Sequence, residues 1–119
     1  MPTSSAAALT EFASRIIRAT GADDDVADEV GRHLVRSNLS GHDSHGVQRL
    51  QQYVTQVDEA QIMPSARPEV VTDNGATGLV DAHRCFGHFS TSFALDWALD
   101  RDHRHGIASV AVRRSAHIG

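Results

Sequence analysis

Lysine is missing from this sequence of 119 residues: all 11 basic side chains are arginine. No residue here can form a Schiff base through a side-chain amine or serve as the lysine of a phosphate-binding loop. Cysteine is nearly missing too. With Cys85 alone no internal disulfide is possible, which suits a reducing compartment and predicts a cytoplasmic protein. No apolar run approaches the length of a bilayer span, and the N-terminus lacks the basic start and apolar stretch of a secretion signal. A formal charge of −4 provides no excess of positive charge for nucleic acid or an anionic membrane surface. Neither G-x-G-x-x-G nor G-x-x-x-x-G-K-[ST] occurs, so these two glycine-rich phosphate cradles are excluded.

What is present reads as an ordinary globular chain, 40% hydrophobic and 22% charged. "SSAAALTEFASRIIRATG" predicts a first helix, with Leu9, Phe12, Ile16 and Ala19 at helical spacing, a Ser or Thr cap near residues 3–5 and a stop at Gly21. A second helix follows. Asp23 to Asp25 lie at its N-terminus, where the macrodipole favours negative charge, Val26, Val30 and Leu34 form one stripe, and Gly41 is the stop. A third starts near Val47, capped by Asp43 or Ser44, with Val47, Leu50, Val54 and Val57 on one face.

The character changes at "MPSARP", whose two prolines end the helical region. "EVVTDNGATGLVDA" predicts a hairpin about Asn74-Gly75. "HFSTSFALDWALDRDHRHG" predicts a helix stopped by Gly106, and "IASVAVR" a buried strand. The fold class is therefore α+β: a helical subdomain over 1–66, then strand, strand, helix, strand over 67–119, read as an incomplete second domain. A sheet this small, ending in a strand that runs straight into a loop, predicts a fragment of something larger.

Chemistry concentrates in "SNLSGHDSHGVQRLQQY", residues 37–53. His42 and His45 are three apart and could share a metal, but no third ligand stands at a usual spacing, and no metal is expected. Arg49 follows His45 by four residues and Tyr53 follows Arg49 by four, which on one helix makes a polar stripe. Arginine holds a carboxylate through two parallel hydrogen bonds, and a neighbouring imidazole moves a proton at neutral pH. That pair suits a 2-oxo or 2-hydroxy acid. The same residues also suit a plain role, with His45 capping, Arg49 solvated and Tyr53 packed. Far along the chain, "RRSAHIG" puts Ser115 and His117 directly after a predicted strand, where loops often carry ligand-binding groups. His33, His83, His88, His103 and His105 stand out less, and Cys85 has no activating base nearby in sequence.

Taken in order, "RSNLSGHDSHGVQRLQQYV", "GLVDAHRCFGH" and "HGIASVAVRRSAHIG" resemble the malate/L-lactate dehydrogenase family of NAD(P)-dependent oxidoreductases, a group distinct from the Rossmann-fold lactate and malate dehydrogenases. The resemblance runs over essentially the whole chain. It implies a non-Rossmann cofactor domain, a homodimer with sites drawing on both subunits, and NAD or NADP as cofactor. It places the family's substrate-contacting arginine on Arg49, substrate-pocket positions on Ser44 and Tyr53, and the two site histidines on His45 and His117. His117 is expected to be the acid/base at the C2 oxygen of a small carboxylate substrate, with His45 orienting it or sharing the proton. Family members are substantially longer, so most cofactor-binding segments are expected beyond residue 119, and these residues alone are expected not to turn over. The competing expectation is a catalytically inactive remnant that acts as a helical dimerisation module.

Overall fold

A computed structural model describes residues 2–118. The order is α1 (Ala6–Ala19), α2 (Asp24–Leu39), two single 3₁₀ turns (Asp43–His45 and Val47–Arg49), α3 (Leu50–Asp58), β1 (Glu69–Asp73), β2 (Thr77–Asp81), α4 (Gly87–His105) and β3 (Ser109–Arg113). The architecture is α+β, as the hydrophobic periodicities predict.

Ser5 caps α1, its Oγ accepting the Ala8 amide at 3.1 Å. The predicted apolar face of this helix is rotated. Ala13, Ser14 and Ile17 are buried, whereas Phe12 is 55% exposed. The cause lies on α2: a Cβ added at Gly31 would stand 3.1 Å from the Ser14 amide nitrogen, so the two backbones meet where α1 offers its small residues. On α2 the stripe Val26, Val30 and Leu34 is fully buried, as the spacing predicts. Asp25 and Asp23 at its N-terminus pair with Arg67, at 2.5 and 2.9 Å, and the Arg67 guanidinium also covers the Phe89 ring. The third helix begins later than the pattern suggests, at Leu50, and neither Asp43 nor Ser44 caps it.

The sheet has the order β1-β2-β3. β1 and β2 form the predicted antiparallel hairpin, with Gly75 N–H donating to Asp73 Oδ1 in the turn. β2 and β3 are parallel, pairing Val80 with Val112, and α4 makes the crossover between them. β3 is not the buried strand that its composition suggests. Among the described residues it pairs with β2 only; Val110 and Val112 are half-buried while Ser109, Ala111 and Arg113 are exposed. Phe86 from the 67–119 part enters the same core as Ile17, Leu34, Leu50, Tyr53 and Ile62, so the helices and the sheet are joined by shared burial.

One charged cluster anchors the loops beyond β2 and β3. Asp81 is 1% exposed; it accepts from Arg113 Nε and Arg114 Nε at 3.0 Å, from Arg114 Nη2 at 2.7 Å and from the His83 amide at 2.9 Å. His83, Arg84 and Arg114 all take left-handed backbone, with φ of 51°, 63° and 52°, which costs free energy for residues other than glycine. Asp81 supplies compensating bonds to this strained pair of loops. The Arg114 hydrogen bonds, opposed by burial and aided by the His83 amide and Arg113, hold its carboxyl well below the usual range. A carboxyl depressed in the folded state stabilises fully above its unfolded pKa of about 3.9 and less as pH falls through that value towards the folded one. Asp81→Asn should therefore lower the thermal midpoint at neutral pH and flatten its decline below about pH 4. Identical melting curves for the two proteins across that range would remove Asp81 from this role.

Candidate active site

The histidine-rich connection is organised by a residue outside the predicted site. Asn38, in the last turn of α2, accepts the Val47 amide on Oδ1 at 3.0 Å and donates through Nδ2 to Asp43 Oδ1 at 2.7 Å. It spans both 3₁₀ turns and does the capping predicted for Asp43 or Ser44. The turns replace the continuous helix on which His45, Arg49 and Tyr53 would have formed one stripe.

The three residues are nonetheless brought together, by tertiary packing. Arg49 is half-buried; its Nε donates to the Ser44 carbonyl at 2.6 Å and its Nη1 to Gln52 Oε1 at 2.6 Å. Among the described residues Nη2 meets no acceptor. The guanidinium is thus oriented by the protein with one edge left for an anion. The Ser44 hydroxyl lies 3.0 Å from His45 Nδ1. Tyr53 is buried and reaches the site only through its hydroxyl, 2.9 Å from Nδ1 of His117. The His117 ring in turn stacks on His45, with centroids 5.8 Å apart and planes at 27°.

His117 arrives on the segment after β3, which is held down by backbone. Gly87, the first residue of α4, packs on the carbonyl groups of Ala116 and His117, where any Cβ would overlap them. Ser115 is spent internally: its hydroxyl lies 3.1 Å from Ser90 Oγ and donates to the Ala116 carbonyl. Beside His45 an open cavity of about 420 Å³ is lined by His33, Arg36, Ser37, Ser40, His42 and His45. His42 therefore shares a cavity wall with His45 and Arg36. No group of three or more His, Cys, Asp or Glu side chains is placed to hold a metal ion among the described residues. Cys85 is buried, and burial pushes its thiol up, away from nucleophilic use.

The electrostatics give the hydroxyl and the imidazole different parts. Burial pushes Tyr53 up to about 12 against the opposing charge of Arg49, so its hydroxyl keeps its proton. It then donates to Nδ1 of a neutral His117, which leaves the ring proton on Nε2, on the side away from Tyr53. Burial, then the charges of Arg49 and His45, hold His117 below the usual histidine value. A protein-oriented cation, a tautomer-fixed imidazole and a stacked second imidazole are the parts needed to bind a carboxylate and move a proton next to it.

Two polar residues here were not singled out from the sequence. Asn38 had a signal, an asparagine at the end of a helical run before glycine. His88, buried against Tyr53, had none, because its burial depends on packing between α2, α3 and α4.

The sequence profile described as malate/L-lactate dehydrogenase matches residues 4–119. Hydroxycarboxylate dehydrogenase B of Escherichia coli is 33% identical over 111 residues, which cover 93% of this chain and 31% of that protein. A 2,3-diketo-L-gulonate reductase of Salmonella typhimurium is 36% identical over 103 residues, 87% of this chain and 31% of the reductase. Malate dehydrogenase from Entamoeba histolytica superposes with a TM-score of 0.92 at 27% identity, covering 98% of this chain and 32% of that one. The chain thus spans about a third of the length of the relatives it matches. By profile and by fold, the chain belongs to the malate/L-lactate dehydrogenase family.

Proposed function

We propose that this chain carries the substrate-binding and proton-transfer part of an NAD- or NADP-dependent oxidoreductase that interconverts 2-hydroxy and 2-oxo acids. The observation that carries the proposal is the convergence of His45 and Arg49 with the distant His117, which bonds the Tyr53 hydroxyl, stacks on His45 and feels the charge of Arg49. Arg49 takes the substrate carboxylate on its free edge. In the reduction a doubly protonated His117 gives its Nε2 proton to the C2 oxygen and keeps the one on Nδ1, towards the Tyr53 oxygen; the oxidation runs the same transfer backwards, and His45, stacked on the ring, orients it or shares the proton. Ser44 fixes both partners, its carbonyl on Arg49 and its hydroxyl on His45.

Binding and proton affinity are coupled in this scheme. The positive charge of Arg49 helps keep His117 neutral in the free protein. A bound carboxylate offsets that charge and favours the imidazolium, so substrate arrival helps to load the acid that reduction needs.

The open cavity beside His45 is lined by neither Arg49 nor His117, so the assignment of carboxylate and proton rests on the contacts of those two side chains. The nicotinamide, when bound, gives or takes the hydride at C2. In the same proposal residues 1–66 form the substrate and dimerisation part, 67–119 begin the cofactor part, and the protein works as a cytoplasmic homodimer. The reading as a dimerisation module without activity also has an observation in its favour. Phe12, 55% exposed, lies with Ile16, Val47, Leu50 and Val54 along an apolar groove between α1 and α3.

The test is a panel of 2-oxo acids, each paired with its methyl ester, assayed in the active enzyme with NADH and with NADPH. Acids should be reduced and esters should not. Esters turning over as fast as acids would sink the carboxylate-binding scheme, and no turnover of any acid would favour the dimerisation module.

A further inference from the structure

His88 is the unexplained polar residue of this protein. It sits in the first turn of α4 and is 2% exposed, yet among the described residues neither Nδ1 nor Nε2 has a hydrogen-bond partner. A buried imidazole carries a donor and an acceptor, and leaving both unmet is costly where an apolar ring of similar size would carry no such penalty. Its surroundings are specific. The ring meets Tyr53 edge-to-face at 5.7 Å and 70°, and lies 5.5 Å from His33 on α2. Behind it, Nε2 of His33 stands 3.0 Å from Glu29, which also accepts from Ser92.

The Tyr53–His117 bond creates a need that this ring can meet. While His117 is neutral, Tyr53 donates to its Nδ1. Once His117 takes a second proton, both of its nitrogens are donors. The Tyr53 oxygen must then accept, and the Tyr53 hydrogen must swing to the other side of its phenol. Of the three rings packed on Tyr53, Phe86 has no acceptor and His117 has just become a donor. His88 alone offers a free nitrogen lone pair. We propose that His88 is a positioning residue that receives the Tyr53 hydroxyl hydrogen, directly after a small turn of its ring or across one water, whenever His117 is doubly protonated. Burial, with the charges of His33 and His117, pushes His88 down to about 4 against the pull of Glu29, so its lone pair stays free at neutral pH. The titratable and charged groups facing His117 from the 3₁₀ turns are then His45 and Arg49, with His88 behind Tyr53.

The proposal deepens the role given above to His117, but its test needs neither turnover nor cofactor. The intact protein is labelled with ¹⁵N-histidine and titrated by NMR without ligands. In the wild type, the acceptor nitrogen of His88 should shift at the same midpoint as His117, although His88 itself stays neutral. Replacing His88 with phenylalanine keeps a ring and removes the acceptor, and should lower the His117 pKa by about one unit, a tenfold loss of proton affinity. His88→Gln, which restores an acceptor, should recover most of it. A His88 nitrogen indifferent to the His117 midpoint overturns the proposal even if the phenylalanine variant does not fold. So does a phenylalanine variant titrating like the wild type, or a glutamine variant no better than phenylalanine. If the NMR result holds while every 2-oxo acid fails as substrate, the dehydrogenase reading falls and the His88 inference stands.

Discussion

Arg49→Ala should raise KM for a 2-oxo acid by about a hundred- to a thousand-fold in the active enzyme, roughly 3–4 kcal/mol for a charge-assisted bidentate contact. The guanidinium is already oriented by the Ser44 carbonyl and by Gln52, so little ordering cost falls on the substrate. Lysine should rescue poorly, because an ammonium cannot keep the Ser44 and Gln52 contacts while presenting a second parallel donor. A second effect travels with the first. Since Arg49 helps depress His117, its loss should raise the His117 pKa in the free protein, which a histidine NMR titration reads directly. A wild-type KM together with an unmoved His117 titration would show that Arg49 touches neither substrate nor acid.

The second large effect belongs to His117 itself. His117→Gln should lower kcat by about 10²- to 10⁴-fold while changing KM little, the pattern of a group that acts only as the proton moves. His45→Gln should cost less. If the order is reversed, His45 is the acid and His117 its support. The pH dependence has a definite sign. Reduction needs protonated His117, so rates fall as pH rises through its pKa. The free-protein value, seen in kcat/KM, is held low by burial, Arg49 and His45. The complex, seen in kcat, has Arg49 offset by carboxylate. The kcat profile should therefore persist to higher pH than that of kcat/KM; profiles that superimpose would break the proposed coupling between carboxylate binding and proton loading.

The parts legible in the sequence are those set by neighbours along the chain. Asn74-Gly75 marked the hairpin, Gly106 the end of α4, and Val26, Val30 and Leu34 the buried face of α2. What misled was decided by distant contacts. The buried face of α1 follows Gly31 on another helix rather than its own largest side chains. The composition of β3 suggests burial, but its place at the sheet edge leaves one face open. At the site, the four-residue spacings of His45, Arg49 and Tyr53 suggested one helical stripe. The structure assembles those residues through two 3₁₀ turns and Asn38 instead. His117 stood out by its place after a predicted strand and took its role from the family resemblance, because no local pattern joins it to Tyr53 across 64 positions. His88 had no local signal at all.

The contact between Gly87 and the carbonyls of Ala116 and His117 makes main chain, not side chains, the datum from which the His117 loop is measured. The exposed Ile118 side chain can then be exchanged with the loop still seated at the same height over Tyr53. The converse also holds. Any tilt of α4 at its first residue lifts or lowers the His117 ring relative to the Tyr53 hydroxyl, so whatever packs along that helix acts as a lever on the Tyr53–His117 bond.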